Sequence, residues 1–138
     1  MNRIKFRLLL LFLSIIGVTM MSCAKKDIYV DLTANSWKVV KMKKPGESSY
    51  KKAEKSYMLT FTSEQTYTLE LDVNNCFGDY NVTSNGNIDL GQGGCTEICC
   101  DSDFGVDILK LLPKMAKYYG KGDELILEGE GKIILKKE

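Results

Sequence analysis

Histidine is absent, arginine stops at position 7, and proline occurs only at positions 45 and 113. Without histidine the chain lacks the commonest general base and the commonest metal ligand. No GxSxG, HExxH, Walker or Rossmann glycine pattern occurs. Gly91, Gly93 and Gly94 outline a phosphate-loop-like cluster, but no lysine follows in place and no long helix opens there, so they read as turn glycines. These absences leave no constellation for catalysis: the sequence predicts a protein that is not an enzyme, with no catalytic residue, no cofactor and no metal.

What is present begins at the N-terminus. Arg3, Lys5 and Arg7 precede an apolar run from Leu8 to Met21, broken only by Ser14, Gly17 and Thr19. The run has the length of a signal-peptide core and falls short of the roughly 20 apolar residues of a membrane span. Met20-Met21-Ser22-Cys23 then resembles the lipobox of bacterial lipoproteins. That resemblance implies a signal peptide over residues 1–22 and a Cys23 that carries thioether-linked diacylglycerol and an N-acyl chain such as palmitate. Each buried methylene of such an anchor contributes about 0.8 kcal/mol. Ala24, where a retention signal would place aspartate, resembles cargo sorted to the outer membrane. The expected address is the bacterial cell envelope, on its periplasmic or surface face. Asn81-Val82-Thr83 matches a glycosylation acceptor, which in such a protein is a chance match.

Removing residues 1–22 removes three basic side chains and no acidic one, so the formal charge moves from +1 to −2. With no arginine remaining, nucleic acid is a poor partner. Seven lysines fall between Lys38 and Lys55. They read as a solvated strand edge and loop, where lysine also discourages edge-to-edge aggregation.

The rest divides into a lipidated N-terminus and linker over residues 23–35 and one domain over 36–138, enough for a single core. Ser36 to Lys43 alternates as a first strand. Pro45 to Ser49 breaks it. Tyr57, Leu59 and Phe61 share one face, Ser63 to Gln65 turns the chain, and Tyr67, Leu69, Leu71 and Val73 point inward from the returning strand, with Thr66, Thr68, Glu70 and Asp72 outward. Asp79 to Thr83 and Asn87 to Leu90 flank a Ser84-Asn85-Gly86 turn. Asp101, Ser102 and Asp103 offer capping groups to a helix whose stripe is Phe104, Ile108, Leu111 and Leu112, and Pro113 ends it. Three closing strands follow at 115–119, 124–128 and 132–136. The fold class is mostly β with one helix (α+β): about eight short strands forming a curled antiparallel sheet or small β-barrel packed on a single short helix.

Four cysteines remain beyond Cys23: Cys76, Cys95, Cys99 and Cys100. In an oxidising compartment they read as two disulfides stapling the glycine- and acid-rich segment 91–103. A bond between adjacent Cys99 and Cys100 needs a strained ring and is set aside. Cys76 then pairs with Cys99 or Cys100, and Cys95 takes the other. A zinc or copper site is disfavoured because one lone cysteine plus CxxxCC lacks paired CxxC knuckles. A redox centre would want a CxxC motif or a thiolate of lowered pKa, and Asp101 and Asp103 oppose the latter. Glu97 with Asp101 to Asp103 lacks the loop of a calcium site.

Trp37, Leu59-Thr60-Phe61, Asn74, Gly78-x-Tyr80, Thr96-x-x-x-Cys100, Leu109-x-x-Leu112, Tyr119, Gly122-Asp123, Leu125 and Leu127 together resemble the META domain, also called HslJ-like. The resemblance spans most of the chain after Cys23. It implies a small bacterial envelope or lipoprotein-type protein linked to stress and drug tolerance, with no assigned reaction. The T-x-x-x-C match makes Cys100 the family-like cysteine and so implies Cys76–Cys100 and Cys95–Cys99. Asn35-Ser36-Trp37 opening an all-β domain also resembles lipocalin-like bacterial lipoproteins.

Three functions follow as expectations. The first is a lipid-anchored, non-enzymatic envelope domain, held to the membrane through Cys23, that binds another envelope component, such as another envelope protein, or supports envelope integrity under stress. A second is a lipocalin-like binder of a small apolar ligand lined by Trp37, Tyr57, Phe61 and Tyr67. A third is a cysteine-based metal or redox protein, which requires free thiols in the native state.

Overall fold

The computed structural model describes residues 30–138. The expected signal peptide over 1–22, the expected acylation site Cys23 and the first part of the linker lie outside the described residues. Among the described residues ten strands run in chain order: β1 Ser36–Lys43, β2 Lys51–Lys52, β3 Met58–Phe61, β4 Thr66–Glu70, β5 Asn75–Val82, β6 Ile88–Leu90, β7 Gly94–Cys95, β8 Met115–Lys121, β9 Glu124–Gly129 and β10 Lys132–Lys137. The one α-helix among the described residues, α1 (Asp103–Leu111), continues into a 3-10 turn at Leu112–Lys114; another such turn, Leu32–Ala34, precedes β1. The main antiparallel path is β6-β5-β4-β3-β1-β10-β9-β8, with β2 added to β1 and β7 to β5.

The sheet curls until its two edge strands meet. Asn87 bridges Lys117, and the Tyr118 N–H donates to the Gly86 carbonyl at 2.8 Å. The result is the mostly β, barrel-like architecture with one helix that the sequence predicts. Alternation explains the interior: β3 and β4 turn Leu59, Phe61, Tyr67 and Leu69 inward, and β9 and β10 contribute Leu125, Leu127, Ile133 and Leu135, all buried. In β1 a bulge between Val39 and Lys41 resets the period, so Trp37, Val39 and Met42 all reach the core. The Trp37 indole donates to the Leu32 carbonyl at 2.9 Å, fastening the incoming chain.

The strand registers fix two ends of the barrel. Ser36, Phe61, Thr66, Val82 and Lys137 mark one end; Lys43, Met58, Glu70, Asn75, Gly129 and Lys132 mark the other. Ser36 and Glu138 meet at the first, where the Glu138 N–H donates to the Ser36 carbonyl at 3.0 Å. Helix α1 packs across the second. Its stripe of Phe104, Ile108 and Leu111 is buried, as is Leu112 just beyond, which is the stripe the spacing predicts. Leu111 reaches Gly131 in the β9–β10 turn, and the Phe104 ring lies 5.2 Å from that of Tyr57.

Three expectations are corrected. The strands number ten rather than about eight, because β2 and β7 are two-residue strands defined only by their partners. The strand expected to run to Val73 ends at Glu70, and Val73 is 44% exposed instead of inward. Asp72, expected outward, turns its carboxylate in: its side chain is only 3% exposed. Both residues fall in the β4–β5 turn, where alternation no longer applies.

Candidate functional site: the stapled loop at the helix end

Segment 91–102 runs along β5, from Gly91 beside Asp79 and through β7 beside Phe77 and Cys76, and its later part, 96–102, reaches the end of the barrel that carries α1. Three polar side chains from the β4–β5 turn and the helix start hold it. Asn74, buried, accepts at Oδ1 from the Ile98 N–H (2.8 Å) and the Thr96 hydroxyl (2.8 Å), while its Nδ2 donates to the Ile98 carbonyl (2.6 Å) and to Asp101 Oδ2 (2.6 Å). Asp101 Oδ1 accepts from the Val73 N–H at 2.9 Å and the Asn74 N–H at 3.3 Å. Burial pushes the Asp101 carboxyl pKa up, but hydrogen bonds from Val73 and Asn74 outweigh it and the net direction is down.

Asp72 is the second hub. It accepts from the Ser102 N–H (2.9 Å) and hydroxyl (2.6 Å), and Lys55 Nζ lies 2.8 Å from Oδ1. The Tyr57 hydroxyl sits 2.8 Å from Ser102 Oγ and 3.3 Å from Asp72. Burial opposes ionisation of Asp72, yet Lys55 and Ser102 hold its carboxyl well below the usual carboxylate range. Burial raises the Tyr57 pKa. Ser102 Oγ also accepts from the Gly105 N–H at 3.3 Å, so Ser102 is the N-cap of α1 as the sequence predicts. With a donation to Asp72 and contacts to Tyr57 and Gly105, this hydroxyl is engaged in holding the helix start. Asp101 ties down the β4–β5 turn and is not a cap. The run Leu71-Asp72-Val73-Asn74-Asn75 carries the one signal for this hub: clustered Asp and Asn mark a turn whose side chains bond to backbone.

The cysteines pair as Cys76–Cys95 and Cys99–Cys100. Both the pairing implied by the family resemblance (Cys76–Cys100 with Cys95–Cys99) and its alternative are corrected, and the adjacent bond set aside from sequence is present. The reason is the two-residue strand β7, which places Cys95 directly across from Cys76 with their Cα atoms 4.0 Å apart. Cys76 is buried in the core and Cys95 half-buried, while Cys99 and Cys100 are exposed. Free thiols at Cys95, Cys99 and Cys100 are thereby replaced by two bonded pairs. Among the described residues, no three His, Cys, Asp or Glu side chains form a group that could hold a metal ion.

Trp37, Tyr57, Phe61 and Tyr67, expected to line a ligand space, are 1–2% exposed and belong to the packed core. Tyr57 and Tyr67 also border outer grooves. One, of about 650 Å³, runs between Tyr67, Gln92 and Gly93 and the end of α1 at Lys110, Pro113 and Lys114. The other, of about 240 Å³, lies among Lys51, Lys52, Lys55, Tyr57, Ser102 and Phe104. Around the loop Val73, Phe77 and Ile98 are 44%, 58% and 57% exposed, with the Phe77 ring against Gly94. The arrangement is a rigid, partly apolar loop held from beneath by ionised carboxylates.

A family model for the META domain matches residues 30–138. Among solved structures, a protein from Burkholderia xenovorans determined by NMR is similar, with a TM-score of 0.62 and 14% identity, covering 83% of this chain and 94% of its own. A DUF4847 family protein from Bacteroides vulgatus is similar with a TM-score of 0.58 and 11% identity, covering 76% of this chain and 93% of its own. At such identities the likeness shows the fold alone. No curated protein matches the chain.

Proposed function

The chain belongs to the META domain family, and from that membership we propose a lipid-anchored, non-enzymatic protein of the bacterial cell envelope. Its domain docks another envelope protein and supports envelope integrity under stress. The positive n-region, the apolar run and Met20-Met21-Ser22-Cys23 support an acylated Cys23 seated in the outer membrane.

The observation that carries the docking role is the separation of tether from loop. The chain arrives through Leu32, whose carbonyl is held by Trp37 beside the barrel end marked by Ser36 and Lys137, whereas residues 96–102 of the stapled segment lie at the opposite end. An anchor at Cys23 leaves a seven-residue connection to Val30, at most about 25 Å when fully extended. The domain therefore stands close to the membrane with the loop turned away from it. Val73 and Ile98 are presented there on a backbone that Asp101 and Asn74 hold in place, so little conformational entropy is lost when a partner binds.

Fractionation of the native host tests the reading. Wild-type chain is expected in the membrane pellet, with an intact mass of residues 23–138 plus acyl chains, and Cys23→Ser in the soluble fraction. Crosslinking from position 98 should capture an envelope protein that crosslinking from position 137 does not. An unacylated wild-type mass, or capture from position 137 alone, overturns the anchor or the docking end respectively.

A further inference from the structure

The two disulfides differ in what surrounds them. Cys76 is buried within β5 and its partner Cys95 half-buried in β7, so their bond joins two paired strands. Cys99 and Cys100 are both exposed, at the crest of the loop. We propose that Cys99–Cys100 is a reversible thiol–disulfide exchange site that takes two electrons from a dithiol, while Cys76–Cys95 persists as the fixed staple.

Three observations carry this. Exchange begins with a thiolate attacking a disulfide sulfur, so it needs open access, which the crest offers and the core withholds. The loop is also held on both sides of the pair by contacts that do not involve it. Ile98 is bonded through its N–H and carbonyl to Asn74; Asp101 is bonded to Val73 and Asn74; Ser102 is bonded to Asp72. Opening the sulfur–sulfur bond releases none of these. Finally, after reduction the two thiols stay side by side on a backbone fixed at 98 and 101, so reclosure is intramolecular and benefits from high effective concentration.

The chemistry balances without a further reactant. One thiolate of the dithiol attacks Sγ of Cys99 or Cys100, the Cys99–Cys100 bond breaks, and a mixed disulfide forms while the released cysteine sulfur takes up a proton. The second thiolate of the dithiol then attacks the mixed disulfide and expels the other cysteine sulfur, which is protonated in turn. The protein disulfide is reduced to two thiols, and the dithiol is oxidised to its disulfide.

The test uses the purified, folded full chain titrated with dithiothreitol, quenched by alkylation and mapped by fragmentation mass spectrometry. Two steps are expected. Cys99 and Cys100 become labelled first, with no change in near-ultraviolet circular dichroism, and oxidised dithiothreitol restores the unlabelled state. Cys76 and Cys95 become labelled only in a second step at higher reductant. The double variant Cys99→Ser/Cys100→Ser should lose the first step and keep the second. Simultaneous labelling of all four cysteines, labelling of Cys99 or Cys100 before reductant is added, or a non-reduced linkage of either to Cys76 or Cys95 overturns the proposal. If the variant does not fold, the wild-type titration decides alone.

Discussion

Asn74 holds the backbone of Ile98 by both its polar groups: Oδ1 accepts the N–H at 2.8 Å and Nδ2 donates to the carbonyl at 2.6 Å. A single amide therefore closes what would otherwise be two open backbone groups in a loop with little apolar cover of its own. Replacing it leaves those groups, and part of Asp101, without a protein partner. Asn74→Ala is expected to cost about 1–3 kcal/mol in denaturant unfolding. It should also speed amide hydrogen exchange across 96–101 while leaving β9 and β10 unaffected. Unchanged exchange at Ile98 would refute the clamp.

Asp72 and Asp101 both have carboxyl groups held below their ordinary range in the folded state. In the unfolded chain an aspartate titrates at about 3.9. Their contribution is therefore fully present above that value and is lost as pH falls through the lower folded values. The melting temperature should be nearly flat above about pH 5 and decline below about pH 4. Asp72→Asn should lower stability at neutral pH by about 1–3 kcal/mol, because the charge facing Lys55 is lost and one of the two accepting oxygens shared by Lys55 and Ser102 becomes a donor, and it should flatten the acid limb. An acid limb as steep as the wild type's would remove Asp72 from the account.

Cys76–Cys95 links positions 19 apart and closes β7 onto β5. In the chain-entropy treatment such a loop is worth about 3 kcal/mol. Cys95→Ser is expected to lose about that much and to release residues 91–95 to fast exchange. A loss confined to a few tenths of a kcal/mol would mean that β7 is held by its other contacts.

Gly129 faces Met115 across β8 and β9, and a Cβ there would run into the Lys114 carbonyl and come within 2.8 Å of Met115 Cα. The obstruction is backbone, which cannot rotate away. Gly129→Ala is expected to destabilise by about 1–3 kcal/mol through overpacking. Gly122, at φ +64° with open space around it, should cost only about 1–2 kcal/mol as alanine, through backbone strain alone. Thermal melts of the two variants, and a crystal structure of the first showing a displaced β8–β9 junction, check the contrast.

Much of this molecule was legible in the sequence where a local period repeats. Tyr57 to Val73 declares a hairpin because every second residue is apolar, and Phe104, Ile108, Leu111 and Leu112 declare a helix face. The alternation even predicted the closing strands within about two residues of their bounds. It failed where tertiary placement decides. Val73 and Asp72 continue the written alternation but sit in a turn, so one side chain faces solvent and the other faces Ser102. The disulfide pairing depends on β7, two residues long, which has no period to read. The Asp- and Asn-rich run at 72–75 marks a turn, but the partner of Asn74 has no local signal, because an asparagine in a turn says only that some backbone will be bonded, not that it lies 24 residues further along the chain.

The pairing of β1 with β10 has a consequence for how the molecule is made. Residues 36–43 lie against 132–137, so the strand that leaves the ribosome first waits for the last to appear. Until then the early hairpin of β3 and β4 can form, but the wall that joins the two halves of the sheet cannot. Folding to the native state is thus an event of the whole chain and not of its growing end. Residues 133–138 hold nearly all of β10, so their loss takes from β1 and β9 a shared partner and opens the sheet at its middle.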